Sequence, residues 1–332
     1  MKVFCISIGI LLAAVSGALA NREFLWGVTG AKGAPSNLYA INPANGKLLG
    51  KIGSTGAVNL TGIEVKDGKL YAVQGQLSPS GASNKRLYVL NKSTAKASVI
   101  ATLDPKYSIS DLALRKSDGV MFGFGVNSAV KKLLTIDITT GAITEIGAMN
   151  NIGEVSVTFL NDGTLCLVRT NGFFTMNPAT GASLTGPFAL SGATLTIDNF
   201  MDTSAAGTIY CGERSGNDTL LYTLDPNTRV TTLVGTVKGA ALSGLAFDLA
   251  VPPVFKVSGA KNLRTTKSSV KLKGTAKSLV PLTISTKGAS AKAKNGKWQL
   301  KAKLKPGKNT IKLTCDDGLG QKKKAKVVVI RE

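Results

Sequence analysis

The sequence predicts an all-β protein, a five-bladed β-propeller followed by a small β-sandwich, and three observations carry that prediction. Short runs of alternating apolar residues, separated by turn residues, recur every 40 to 49 residues between Glu23 and Phe247, the period of a four-stranded blade. The strand missing from the last copy stands in front of the first. Composition breaks at Val251-Pro252-Pro253, after which lysine-rich strands with a period of two take over.

The chain opens MKVFCISIGILLAAVSGALA. Lys2 supplies a positive start, Val3 to Val15 an apolar run, and Ala18-Leu19-Ala20 the small residues of a cleavage site. Residues 1–20 are therefore expected to be a secretory signal peptide, cleaved near Ala20 and carrying Cys5 away with it. Beyond it no run approaches the ~18 uninterrupted apolar residues of a membrane span. The expected address is extracytoplasmic: periplasm, cell surface or outside the cell. The propeller is expected over residues 21–250, a linker over 251–253 and the sandwich over 254–332, because the proline pair is stiff and cannot continue a central strand.

Within the propeller the unit is LYAINPANGKLLGKIG followed, after a short joint, by LTGIEVKDGKLYAVQG. Its first half returns as LYVLN at 87, LLTID at 133, FFTMN at 173 and LYTLD at 221. Turns NPANG, NKSTA, DITTG, NPATG and DPNTR close these strands. The leading Asn or Asp is expected to bond the backbone two residues on, and a closing Gly tolerates a positive φ. The second half returns as SDLAL at 110, VSVTF at 155, DNFMD at 198 and SGLAF at 243. Every copy but the last continues through a turn into another strand, and EFLWGVTG at the N-terminus supplies the absent one. The N-terminal strand is thus expected to complete the last blade and leave no open sheet edge. Gly62, Ser110, Ser156, Ser243 and Gly244 suit innermost strands that converge on one axis.

The LY-x-I-[DN]-x-x-[TN]-G and SGLAF-type repeats resemble those of exported bacterial β-propellers over residues 21–250. That resemblance implies a fold and an extracytoplasmic address. FFTMN and DNFMD depart from the pattern, lacking its tyrosine and its small inner residues.

Histidine is absent from the whole chain. Ser-His-Asp and Cys-His catalysis and histidine-based metal sites are excluded at once. After the signal peptide only Cys166, Cys211 and Cys315 remain, too few and too scattered for a thiolate metal site. Cys166 and Cys211 lie one position out of phase in equivalent strands, which points them to opposite sheet faces and argues against a disulfide. No D-x-D-x-D-G calcium loop is present. No metal and no cofactor is expected.

Residues 251–332 hold 19 lysines and two arginines against Asp316, Asp317 and Glu332, a net +18 of the +22 of the whole chain. In WQLKAKL, Trp298, Leu300, Ala302 and Leu304 fall on one face of a strand and Gln299, Lys301 and Lys303 on the other. Repeated alternation over about 80 residues reads as a sandwich. The run from Asn295 to Gln321, with Gly296 to Trp298, Leu304 to Asn309 and Asp317 to Gly320 as landmarks, resembles the last half of a bacterial Ig-like domain.

Such a charge exceeds what solubility requires, about 2–8 for a small domain. The expected function is non-catalytic: a secreted, surface-associated monomer whose propeller is an interaction scaffold and whose basic module contacts an acidic polymer. Acidic polysaccharide, lipopolysaccharide or another cell-surface polyanion is the expected partner, and Lys297, Lys301, Lys303, Lys322, Lys323 and Lys324 are the candidate contacts. Scarce arginine and the lack of aromatics among the lysines argue against specific nucleic-acid recognition. The alternative is a glycoside-acting enzyme using paired carboxylates at the channel mouth. Its candidates are Glu64, Asp111 and Asp198, which occupy different positions in their repeats, so no catalytic residue is assigned.

Overall fold

The computed structural model describes residues 23–30, 35–75, 85–127, 130–149, 156–169, 172–193, 195, 199–259 and 263–332. Residues 1–20, where a signal peptide is expected, and Asp198 lie outside them. Among the described residues there are strands and turns and no helix. The chain divides into two compact units, Met1–Asp248 and Leu249–Glu332.

Among the described residues, the first unit is a β-propeller built from five four-stranded antiparallel sheets. Given from the innermost strand outward, sheet one is Leu60–Lys66, Lys69–Gln74, Arg86–Leu90 and Ala97–Thr102. Sheet two is Ser108–Arg115, Val120–Asn127, Val130–Ile136 and Ile143–Ala148. Sheet three is Ser156–Phe159, Leu165–Arg169, Gly172–Met176 and Ser183–Phe188. Sheet four is Asn199–Thr203, Ile209–Ser215, Asp218–Leu224 and Thr231–Val237. Sheet five joins the two ends of the unit: Leu242–Leu249 is hydrogen-bonded to Glu23–Thr29, which continues into Pro35–Ile41 and Leu48–Val58.

The repeated turns follow from their first residue. Asn42, Asn91, Asp137, Asn177 and Asp225 each accept, through Oδ1, the backbone N–H two residues on, at 2.7–2.9 Å. Each turn then ends on a left-handed residue: Gly46, Gly141 and Gly181 where glycine is present, Ala95 and Arg229 where it is not. The acceptor side chain holds even the non-glycine copies in register.

Between the sheets lie apolar layers. Phe122, Phe124, Phe159, Phe174 and Leu133 pack sheet two on sheet three. Tyr71, Leu87, Leu112 and Leu134 pack sheet one on sheet two. Cys166 and Cys211 are both buried free thiols, and they share the core between sheets three and four with Val168, Met201 and Ile209. Their one-position offset turns them toward that common layer, not apart as their sequence phase suggests, because opposite faces of successive sheets look at each other.

The second unit has two sheets. One is three-stranded: Val254–Val257, Ser269–Lys277 and Lys297–Lys303. The other runs Leu263–Thr265, Lys322–Arg331, Gly307–Asp316, Thr283–Thr286 and Ala289–Lys292. Both contribute to a single apolar core, with Leu272, Trp298 and Leu300 from one and Ile284, Leu313, Cys315 and Val327 from the other. The arrangement is a β-sandwich.

Candidate functional site

Two polar groupings concern function: the carboxyls on the innermost propeller strands and the lysines of the sandwich. Each carboxyl follows from its strand's register. Glu64 stands opposite Tyr71 and Asp202 opposite Tyr210, so they occupy the same level of their sheets, as does Thr158 opposite Cys166. Asp111 stands opposite Phe124, one full pleat away, and Ala113 takes its place at the common level.

These side chains tie sheet to sheet. Glu64 accepts the N–H of Val65 at 2.8 Å in its own strand and that of Leu114 at 3.1 Å in sheet two. Asp111 accepts from Leu112 at 2.9 Å and from Val157 of sheet three at 3.0 Å. The hydroxyls of Thr158 and Thr203 meet at 2.9 Å between sheets three and four. Asp202 accepts from Thr203 and from Phe247 of sheet five, both at 2.6 Å. The Ser243 hydroxyl donates to the Leu60 carbonyl at 2.6 Å, linking sheet five to sheet one. Every successive pair of inner strands thus carries at least one side-chain clasp, and sheets one and two carry a second, the Thr61 hydroxyl donating to the Ile109 carbonyl at 3.1 Å.

Burial pushes Glu64 and Asp111 well above the ordinary carboxylate range and raises Asp202, and the Asp202 charge raises Glu64 further. The bound N–H groups and the Lys116 ammonium oppose the rise at Glu64, and Lys116 itself donates to the Thr203 carbonyl at 3.3 Å. Both oxygens of each carboxyl are already engaged by backbone donors, which is the chemistry of a joint. Glu64 and Asp111 therefore act in different junctions. Asp202 and Glu23, the latter accepting the Ala205 N–H at 2.8 Å, were not legible as site candidates. Aligning DNFMD to TGIEV through the partner strand, instead of by motif start, brings Asp202 level with Glu64. Among the described residues no group of three or more histidine, cysteine or acidic side chains is placed to hold a metal.

In the sandwich, the alternation that buries Trp298, Leu300 and Ala302 exposes Lys297, Lys301 and Lys303. Strand pairing brings Lys271, Lys273, Lys277 and Lys256 to the same outer face, Lys271 directly opposite Lys301. Among the described residues, seven lysines and no acid occupy that face. The other expected group lies on the second sheet. There Lys322, Lys324 and Lys326 alternate with Lys323, which stands opposite Cys315 on the other side of its strand. Lys322 pairs with Asp316 at 3.0 Å, and Lys326 stands directly opposite Lys312. The six candidate lysines therefore belong to two sheets and do not make one surface.

Comparisons with known proteins address only part of this architecture. Residues 20–159 match a family model described as a repeat of unknown function (DUF6923). No curated protein matches the chain. Among solved structures, TolB from Acinetobacter baumannii is 12% identical with a TM-score of 0.45, over 71% of this chain and 69% of that one. A nidogen/laminin complex gives 12% identity and a TM-score of 0.43, over 68% of this chain and 98% of the matched one. A putative gluconolactonase gives 14% and 0.42, over 67% and 81%. At such TM-scores these likenesses carry no argument about this chain. The propeller is read from its own sheets.

Proposed function

We propose that this is a secreted, non-catalytic binding protein in which the propeller is a rigid scaffold and the basic sandwich contacts an acidic polymer at a cell surface. The five sheets are its five blades, closed into a ring by the pairing of the first strand with the last. The Ig-like sandwich of residues 254–332 follows the 251–253 linker. The observation that carries the functional reading is the outer face of the three-stranded sheet, with seven lysines and no acid among the described residues. Directly opposed like charges such as Lys271 and Lys301 are unfavourable in a free sheet, and a bound polyanion relieves them. A glycoside-acting enzyme has less support, because Glu64, Asp111 and Asp202 spend both oxygens on backbone N–H groups.

Retention of the full-length protein on immobilised heparin and lipopolysaccharide tests the reading. Binding should weaken steeply with salt. For a DNA-like polymer each neutralised charge contributes about −0.9 to the slope of log K against log salt, so six contacts lose ~10³-fold between about 50 and 200 mM. Replacing Lys271, Lys301 and Lys303 with Gln should flatten that slope by about 2–3 while Trp298 and Leu300 keep the fold. Absence of binding to either polymer at low salt sinks the proposal.

A further inference from the structure

The flat lysine face passes, at one end, into a groove of about 600 Å3. Lys273, Lys292, Lys294 and Lys297 line it, together with the polar side chains of Thr275 and Gln299. We propose that this groove is a discrete binding site for a short anionic stretch of a polysaccharide, its charged groups seated between the four ammonium groups. The inference rests on the polyanion reading above and adds a location and a ligand class to it.

The groove is built by a tight hairpin. Lys294 and Lys297 exchange both backbone hydrogen bonds, N to O, at 2.8 and 2.9 Å. The two residues between them, Asn295 and Gly296, have φ of 50° and 71°, the left-handed pair of a type I′ turn. Residues paired in this way project their side chains to one side of the ribbon with Cα atoms about 5.5 Å apart. Two exposed lysine side chains thereby leave neighbouring points on one face, and their like charges repel unless an anion lies between. Lys292 is placed next to them by the Ala293 N–H, which donates to the Leu282 carbonyl at 3.0 Å. Lys273 reaches the groove from the neighbouring strand, opposite Gln299.

None of the three acids of this unit neutralises the groove. Asp316 pairs with Lys322, Glu332 with Arg264, and Asp317 accepts the N–H groups of Leu319 and Gln321. The floor is rigid. Trp298 Nε1 donates to the Lys256 carbonyl at 3.2 Å, and its ring lies so close over Gly274 that any side chain there would collide with it.

Chemistry narrows the ligand. Lysine offers a hydrated point charge, where arginine offers a planar fork suited to bidentate phosphate contacts. Both arginines of the unit are engaged elsewhere, Arg264 with Glu332 and Arg331 with the Leu304 carbonyl. Nucleic-acid grooves also stack bases on exposed aromatic rings, and Trp298 is only 3% exposed. What remains around the charges is hydroxyl and amide, suited to exchanging hydrogen bonds with sugar hydroxyls. A groove of this volume lies within the ~300–1,000 Å3 range of ligand sites.

The test uses the full chain and size-defined oligosaccharides, a heparin tetrasaccharide (sulfated) and a trigalacturonate (carboxylated), by calorimetry at low salt. The variant K292Q/K294Q removes two charges from the groove, and K271Q/K303Q removes two from the flat face. The groove variant should lose about tenfold or more in affinity for the preferred oligosaccharide, as expected when charge-assisted bonds are lost. The flat-face variant should lose no more than about threefold. Both should melt as the wild type does. If the two variants lose affinity equally, the attraction is diffuse and the groove is no site, while the polyanion reading stands. If the protein retains heparin but binds neither oligosaccharide, the groove is again refuted alone. If full-length heparin also fails to bind, the broader reading falls with it. Tighter binding of a short single-stranded DNA than of both sugars overturns the ligand class.

Discussion

Asp111 offers the sharpest perturbation, because one side chain serves two sheets. The residue is 3% exposed, and its carboxyl accepts one N–H from its own strand and one from Val157 of the next sheet. Replacing it with alanine orphans both donors in a place water does not reach. Each buried unsatisfied group costs about 1–3 kcal/mol, and the loss is partly offset because a carboxyl that burial had penalised is gone. A net destabilisation of about 2–4 kcal/mol is expected, which for a unit of this size lowers the melting midpoint by roughly 4–16 °C. Calorimetry of the full chain reads the shift, and hydrogen exchange over Ser108–Arg115 and Ser156–Phe159 should show faster opening at that junction. Asp118→Ala is the control: its carboxylate is exposed and its partners, Arg115 and the Val120 N–H, lie in the same turn, so the midpoint should stay in place. If Asp111→Ala melts as the control does, the clasp does not hold the sheets and the account of the inner ring is wrong.

Two further outcomes follow from the same buried groups. Glu64, Asp111 and Asp202 have folded pKa values raised above their ordinary 4.5, 3.8 and 3.8. Each therefore contributes stability that is full below the ordinary value and is lost as pH rises through the folded one. The exposed acids held low by turn N–H groups, such as Asp137 and Asp225, act only below that window. The propeller should accordingly melt higher at about pH 5 than at about pH 7.5, with a smaller difference in Asp111→Asn; a midpoint that rises with pH would refute this. Burial also raises the Cys166 and Cys211 thiols to about 12. Both should stay unreactive toward a disulfide reagent in the folded protein at about pH 8 and react at once in denaturant; rapid reaction before unfolding would contradict their place in the core.

The strands and turns were legible because they depend on neighbours in sequence. The Asn42 and Asp137 turns need only a side-chain acceptor two residues before its donor, and the WQLKAKL strand needs only alternation. The clasps were less so. Asp202 shares a level with Glu64 only through pairing to Tyr210 and Tyr71, and the turns that follow differ in length, so counting from the start of each motif misplaces it. The lysine groove was hidden for a similar reason. Lys294 and Lys297 are close in the chain, but Lys273 joins them only through the register that sets it opposite Gln299. Cys166 and Cys211 show the converse: their phase was legible, and its meaning changed once the sheets were stacked.

Sheet five has a consequence for the order of events in folding. Its first strand comes from Glu23–Thr29 and its innermost from Leu242–Leu249, so the Ser243 hydroxyl reaches the Val28 carbonyl across 215 residues of sequence. Closing a loop of that length, compared with a hairpin of about ten residues, adds about 3 kcal/mol of chain entropy. Long-range pairing of this kind slows folding. A chain that emerges N-terminus first must hold Phe24, Leu25 and Trp26 without their final partner until the SGLAF segment has followed. Through that interval the nascent protein presents an unpaired, apolar strand edge, an exposure to aggregation that ends when Leu242–Leu249 pairs with it.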